Sequence, residues 1–407
     1  MSTRFQKKVL ENGLTILGEA NPASFSAAVG FFVRTGARDE QPDISGVSHF
    51  LEHMMFKGTK TRSAMDINFE LGNMGAQANA FTSEENTVYY AAVLPEYLDK
   101  AIELLSDMLR PALDQTEFDV EKKVILEEIA LYKDRPVHVM MEQALKAHFG
   151  SHPAGSSVLG STESITALTS EQMRRYFETR YVASNIVFVV SGRFDWEKVT
   201  NLVEKYCGAW QKGDAKRELR RHEPQVVTKV IKRPNLMHSH VCLLVPGPSS
   251  TEHERYASSV LACILGDSSG SKAYWQLIDK GLADSCAVDV DDMDGTGVTY
   301  GYASTMPEKI DEVTEILSAI MRNANVFSDE ELKRAVTKIS TRLVLQGESA
   351  MRRMVSVGLG WSYRKSYTPL EEQLSIIQAI TRKDIEAALQ KYPLNPVTTV
   401  KLVPEKA

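Results

Sequence analysis

At 407 residues the chain is long enough for two or three domains and a sizeable core. Apolar residues at 43% and charged residues at 25% exclude a disordered, collagenous or purely coiled-coil protein. A formal charge of −6 leaves no basic surplus to neutralise a phosphate backbone, so nucleic acid is not an expected partner. The first residues, Met1 to Lys8, carry neither a secretory apolar stretch nor a long Arg/Ser-rich presequence pattern. No window approaches 18 uninterrupted apolar residues, so no membrane span is expected. Four cysteines, Cys207, Cys242, Cys263 and Cys286, form no C-x-x-C pair and read as buried thiols in a reducing compartment, with the cytoplasm as the expected location.

In chain order, Asn12-Gly13 between the alternating runs Phe5 to Leu10 and Leu14 to Leu17 predicts a β-hairpin, followed by a strand over Ser26 to Val33. Helical periodicity predicts helices over Val47 to Phe56, closed by Gly58, and Ala64 to Leu71, closed by Gly72. Two more are predicted over Leu98 to Leu109 and over Thr116 to Tyr132, which halts before Pro136. Strands are expected at Gln77 to Phe81 and Thr87 to Val93. Ile165-Thr-Ala-Leu-Thr169, a helix and Ile186 to Val190 recur, 212 residues on, as Ile377-Gln-Ala-Ile-Thr381, a helix and Val397 to Val403. The reading is therefore an α+β protein of two homologous α/β halves, antiparallel-rich sheets packed by helices and related by an internal repeat. The polar segment 212–224 is the expected linker between an N-terminal half, 1–211, and a C-terminal half, 225–407.

The segment Gly46 to Phe56 holds His49, Glu52 and His53, which share one helix face because they are three and four residues apart. Their neighbours Val47, Phe50, Leu51, Met54, Met55 and Phe56 are apolar, so the three polar groups need a partner, and one bound cation satisfies them together. Two neutral imidazoles suit zinc, which then requires a third protein ligand. On the helix Thr116 to Tyr132, at roughly 100° per residue, Glu121 and Glu128 fall within about 20° of one another, mid-stripe among Val120, Val124, Ile125, Ile129, Leu131 and Tyr132. Glu127 falls at the stripe's edge, where a solvated glutamate belongs. The expected metal ligands are thus His49, His53 and Glu128 around one Zn2+. Glu52 stays unligated, free to take a proton from an activated water as the catalytic residue of a hydrolysis.

The His-x-x-Glu-His order resembles the inverted-motif zinc metallopeptidases of the pitrilysin/insulinase (M16) family, which includes insulin-degrading enzyme and the mitochondrial processing peptidase. In that family a distal glutamate some 75 residues after the motif completes the site, with another glutamate seven residues earlier. Glu128 and Glu121 match those spacings, and Glu121 is then the outer partner of a ligand. Gly75, Asn79, Ala80, Thr82, Thr87 and Tyr89 match the family's Gly-x-x-x-Asn-Ala-x-Thr-x-x-x-x-Thr-x-Tyr pattern. The resemblance covers essentially the whole chain and implies a LuxS/MPP-like metallohydrolase fold, in a short subunit that pairs with a second to form a closed chamber. It also implies that Gln77, Ala78, Asn79, Ala80 and Phe81 form an edge strand to which a peptide or unfolded polypeptide adds.

The chain departs from the pattern in one segment, where active members usually carry an arginine and, seven positions later, a tyrosine. Here it reads Leu277-Ile-Asp-Lys-Gly-Leu-Ala-Asp284. The expectation is therefore a zinc-bearing subunit of a heterodimer whose homologous partner supplies the arginine and tyrosine; a homodimer would lack them. The competing reading is a non-catalytic assembly or peptide-capturing subunit. It is disfavoured because His49, Glu52, His53 and Glu128 are all present.

Overall fold

The computed structural model describes residues 3–220 and 222–405. The chain runs β1 Arg4–Val9, β2 Thr15–Ala20, β3 Ala27–Val33, α1 Val47–Met54, α2 Ala64–Asn73, β4 Gln77–Thr82, β5 Thr87–Val93, α3 Leu98–Met108, α4 Gln115–Lys133 and α5 Pro136–Phe149. It continues with α6 Thr162–Ala167, α7 Ser170–Arg180, β6 Ile186–Gly192 and α8 Trp196–Cys207. Then come β7 Val227–Arg233, β8 Ser239–Pro246, α9 Glu254–Gly266, β9 Ser285–Asp292, β10 Gly297–Thr305, α10 Ile310–Arg322 and α11 Asp329–Gly347. The chain ends with α12 Ala350–Arg364, α13 Leu370–Gln378, α14 Arg382–Lys391 and β11 Thr398–Pro404.

The repeat expected from sequence is visible in both sheets. The first has the order β1-β2-β6-β3-β5-β4 and the second β7-β11-β8-β10-β9. In each, one parallel pair (β2 with β6, β7 with β11) is followed by antiparallel neighbours. Thr169 and Thr381, 212 residues apart, each cap the helix that feeds the parallel strand, through side-chain bonds to Gln172 N and Asp384 N. The hairpin at Asn12-Gly13 forms as expected, with Arg4 opposite Ala20 and Val9 opposite Thr15. Helix ends shift by a turn or less: α1 stops at Met54 rather than Phe56, while α2 runs past Gly72 and the left-handed turn falls at Gly75.

Two compact units result, and neither is a contiguous half. One comprises the chain up to Ile129, Ser156–Glu218 and Leu345–Thr368; the other comprises Ala130–Gly155, Leu219–Val344 and Pro369 onward. In the first unit, α12 covers the sheet face built by Leu17, Ala28, Phe32, Val88, Val187 and Val189, contributing Ala350, Met354 and Val357. Arg353 anchors it through two hydrogen bonds to the buried Glu19 carboxylate, at 2.8 and 2.5 Å. A pair so enclosed fixes position more than it stabilises, because both ions lose water. In the second unit, α5 packs Met140, Ala144 and Phe149 against Cys242, Leu244, Val400 and Leu402.

Among its described residues the segment read as a linker lacks helix and strand, yet it is anchored at Arg217, whose side chain is buried and donates to Asp39 at 3.0 and 2.7 Å. Cys207 and Cys242 are buried thiols, whereas Cys263 and Cys286 are only partly covered; all four are free. Among the described residues no helix is long and apolar enough to cross a membrane.

Where the packing is closed, a single methyl group matters. A Cβ on Gly358 of α12 would lie 2.3 Å from the Phe32 ring, while one on Gly72 of α2 meets nothing within 4 Å. We therefore expect Gly358→Ala to lower unfolding stability by about 1–3 kcal/mol. Gly72→Ala should raise it by up to about 1 kcal/mol. Denaturant titration of both variants checks this, and equal effects would contradict the packing described.

Glu40 presents a second measurable consequence. Its carboxylate accepts from Gly46 N at 2.6 Å and Ser48 N at 2.8 Å, closing the N-terminus of α1. Burial nevertheless outweighs these bonds and pushes its carboxyl from 4.5 up to about 8. A group that holds its proton more tightly folded than unfolded stabilises below its unfolded value, and that contribution is lost as pH rises through its folded value. The wild type should therefore lose stability relative to Glu40→Gln between pH 5 and 8.5, read from paired denaturation curves; parallel curves would refute the assignment.

Candidate metal centre

Helix α1 presents its three polar side chains within one turn, held from both ends. Gly46, with φ at 91°, starts the helix, and Glu40 caps it. Val47, Phe50, Leu51 and Met54 bury the opposite faces. Phe50 stacks on Phe118 of α4, ring centroids 4.7 Å apart, and this contact brings the two helices into register.

The buried stripe of α4 is narrower than its periodicity suggests. Phe118, Glu121, Ile125 and Ile129 are buried, whereas Val120, Val124 and Leu131 are exposed. The wheel places these three on the flank beyond Glu128, and periodicity alone cannot say whether an apolar flank meets core or solvent. Glu127 is exposed, as expected, and Glu128 is partly covered. Lys122 points elsewhere and donates to the carbonyls of Thr166 and Leu168.

Glu128 Oε2 lies 3.8 Å from His49 Nε2 and 3.6 Å from His53 Nε2. One ligand atom from each of the three residues falls within 4.8 Å of the others, and no other such group of three occurs among the described residues. His53 Nδ1 is 2.8 Å from Glu121 Oε1, and Lys57 Nζ is 2.5 Å from Glu121 Oε2. Glu52, next to His53, is absent from this group; its Oε2 accepts a 2.5 Å hydrogen bond from Thr82 Oγ1 at the end of β4.

The electrostatics separate the two imidazoles. Burial, with the His53 charge adding to it, lowers His49 to about 4, so this ring is neutral at ordinary pH. Burial works against protonation of His53 too, but the Glu121 hydrogen bond and the charges of Glu128, Glu121 and Glu52 outweigh it and raise that ring. Burial likewise raises Glu52, with the Thr82 hydrogen bond opposing it. Glu121 is held below the usual carboxylate range, since His53 and Lys57 overcome its burial.

The residues present fit a metal ion. With Nδ1 of His53 committed to Glu121, its Nε2 in the neutral ring is a lone pair facing a carboxylate oxygen, and two acceptors at 3.6 Å repel unless a proton or a metal ion lies between them. A carboxylate behind the other ring nitrogen is the usual support of a metal-binding histidine. Zinc bonds of about 2.0–2.1 Å would put neighbouring ligand atoms about 3.3 Å apart, close to the 3.6 and 3.8 Å from Glu128 to the two rings.

Sequence reasoning singled out His49, Glu52, His53, Glu121 and Glu128, and the structure brings all five together. Gln77 to Phe81 form most of β4, an edge of the first sheet paired only with β5; Gln77 and Asn79 are exposed. Lys57, Glu40 and the Thr82 contact were not anticipated. Lys57, four residues after His53, follows helical spacing, but no local pattern links Thr82 to a helix 30 residues earlier. In the second unit, Leu277 is fully buried in the core and Asp284 pairs with His238 at 2.7 Å, so neither position offers a basic or phenolic donor.

Comparison with known proteins bears on the family and the fold. Residues 15–162 match the family model described as insulinase (peptidase family M16), and residues 167–339 that described as the peptidase M16 inactive domain. An uncharacterized zinc protease of Bacillus subtilis is 32% identical over 378 residues, 91% of each chain. One of Rickettsia felis is 29% identical over 407 residues, 99% of this chain and 98% of its own. The fold is shared with a Helicobacter pylori protease (TM-score 0.91, 20% identity, 99% of this chain and 100% of that one). It is also shared with a putative M16-like peptidase of Alicyclobacillus acidocaldarius (TM-score 0.85, 22% identity, 100% and 99% covered). With its two sheets and its helices in the M16 arrangement, both family models matched in order and relatives aligned nearly end to end, the chain belongs to the insulinase (M16) family of peptidases.

Proposed function

We propose that the chain is the zinc-binding subunit of an endopeptidase, with one zinc held by His49, His53 and Glu128. The observation that carries this reading is the convergence of those three side chains beside a carboxylate, Glu52, that stays outside the set. When bound, zinc supplies Lewis acidity, which acidifies water and polarises a carbonyl group. Glu52 takes a proton from the attacking water as its oxygen bonds to the carbonyl carbon, then gives that proton to the amine nitrogen as the C–N bond breaks. Its burial favours this exchange by bringing the carboxyl nearer to neutrality. Glu121 holds His53 in orientation, and Lys57 balances the charge of Glu121. Gln77, Ala78, Asn79, Ala80 and Phe81 offer backbone groups on a sheet edge, so an extended peptide adds as a strand with little demand on its sequence.

Zinc content by elemental analysis and cleavage of a fluorogenic peptide test this together. Glu52→Gln should keep the metal and lose about 10²- to 10⁴-fold in kcat. Glu128→Gln should lose both metal and cleavage. A wild-type chain that holds no zinc, or a Glu52→Gln chain that cleaves as well as wild type, would overturn the proposal.

The second half of the reading concerns a partner. Transition-state charge on the carbonyl oxygen calls for positioned donors, and loss of one such donor costs about 10²- to 10³-fold. Leu277 and Asp284 supply none, which supports pairing with a homologous subunit that carries the arginine and tyrosine. Adding such a subunit to the purified chain should raise peptide cleavage by at least about 10²-fold. Full activity of the chain alone, unchanged by any homologue, would remove the need for a partner.

A further inference from the structure

The Glu52 carboxylate accepts a hydrogen bond from the last residue of β4. Thr82 closes β4, opposite Thr87 of β5, and its hydroxyl donates to Glu52 Oε2 at 2.5 Å. The turn that follows is locked: Ser83 N bonds Asn86 O, and the Ser83 hydroxyl receives Glu85 N and Asn86 N. Glu85 is buried and ion-paired with Arg38 at 2.5 Å. The Thr82 hydroxyl is therefore carried on a rigid support, and its β-branched side chain has few rotamers. Glu52, by contrast, has three rotatable side-chain bonds and, among the described residues, no second side-chain hydrogen bond.

We propose that Thr82 is a positioning residue that acts through Glu52. Its hydroxyl occupies Oε2 and leaves Oε1 directed to the proton the base must take; this rests on the reading of Glu52 as base. Because Thr82 continues the strand Gln77 to Phe81, peptide addition along that edge and orientation of the base share one backbone segment. The specificity lies in the hydroxyl, since valine has the same shape and cannot donate.

The test compares Thr82→Val and Thr82→Ser in whichever assembly, chain alone or with its partner, gives wild-type cleavage. A hydrogen bond to a charged group lost in this way corresponds to about 10- to 100-fold in rate. Thr82→Val should lose that much in kcat, with KM within about twofold and zinc content and thermal midpoint unchanged; Thr82→Ser should recover most of the loss. On a Glu52→Gln background, Thr82→Val should add nothing, because the residue acts only through the carboxylate. A crystal structure of the Thr82→Val chain should show the Glu52 carboxylate displaced or in several rotamers. Wild-type kcat in Thr82→Val, no rescue by serine, or an unmoved Glu52 in that structure would overturn the positioning role. Undiminished cleavage by Glu52→Gln would instead overturn the base assignment, so the two failures are distinct.

Discussion

Two imidazoles one helical turn apart face a carboxylate at 3.6 and 3.8 Å, and the fold of the first unit is arranged to hold these groups in mutual opposition. Left to themselves, such groups would separate or take up protons, because each presents lone pairs to the others. What keeps them together is rigid support on both helices. Phe50 against Phe118 sets the helix spacing, and Glu40 fixes the start of α1. Glu121, itself neutralised by Lys57, sets the orientation of His53. Outward from the centre, Glu128 faces the His53 ring, whose other nitrogen bonds Glu121, which in turn pairs with Lys57. With that ring neutral, a cation between it and Glu128 satisfies the lone pairs of both.

Local chemistry explains how much of this could be read in advance. The His-x-x-Glu-His spacing and the 100° step of a helix place His49, Glu52, His53, Glu121 and Glu128 without any tertiary information, and the same step separates exposed Glu127 from Glu128. The hairpin and the strands β3, β4 and β5 likewise follow from turn residues and local pattern, and the 212-residue repeat from self-similarity. What could not be read depends on distant partners. The apolar residues Val120, Val124 and Leu131 look like core on a wheel but are exposed. Arg217 sits in a polar stretch that reads as linker, yet its side chain is buried against Asp39. The assignment of α5 and α12 to non-contiguous units reflects which sheet face each finds, which no local pattern encodes.

The same sheet topology appears twice, and the comparison shows which features belong to chemistry rather than to the fold. Helix α9 follows the strands β7 and β8 as α1 follows β2 and β3, but it is filled with Ala257, Val260, Leu261, Ala262, Ile264 and Leu265 and carries no histidine. Where α1 tolerates three polar groups on one face because a cation can satisfy them, α9 packs apolar side chains and needs no ion. The two helices follow corresponding strands, but α9, with 13 residues, is longer than α1, with 8, as well as different in side chains.

The outer strands differ in the same sense. An exposed edge strand invites unwanted pairing, and charge is a common means of blocking it. β9, the edge of the second sheet, carries Asp289, Asp291 and Asp292. β4, in the matching place, reads Gln-Ala-Asn-Ala-Phe-Thr and bears no charge. An edge left open to strand addition is a liability unless pairing there is useful. On β4 the open edge ends at the hydroxyl that touches Glu52, one residue from His53, whereas α9 carries no histidine. The uncharged edge and the polar helix therefore occur together in one half and are absent together from the other, as expected if each has value only in the presence of the other.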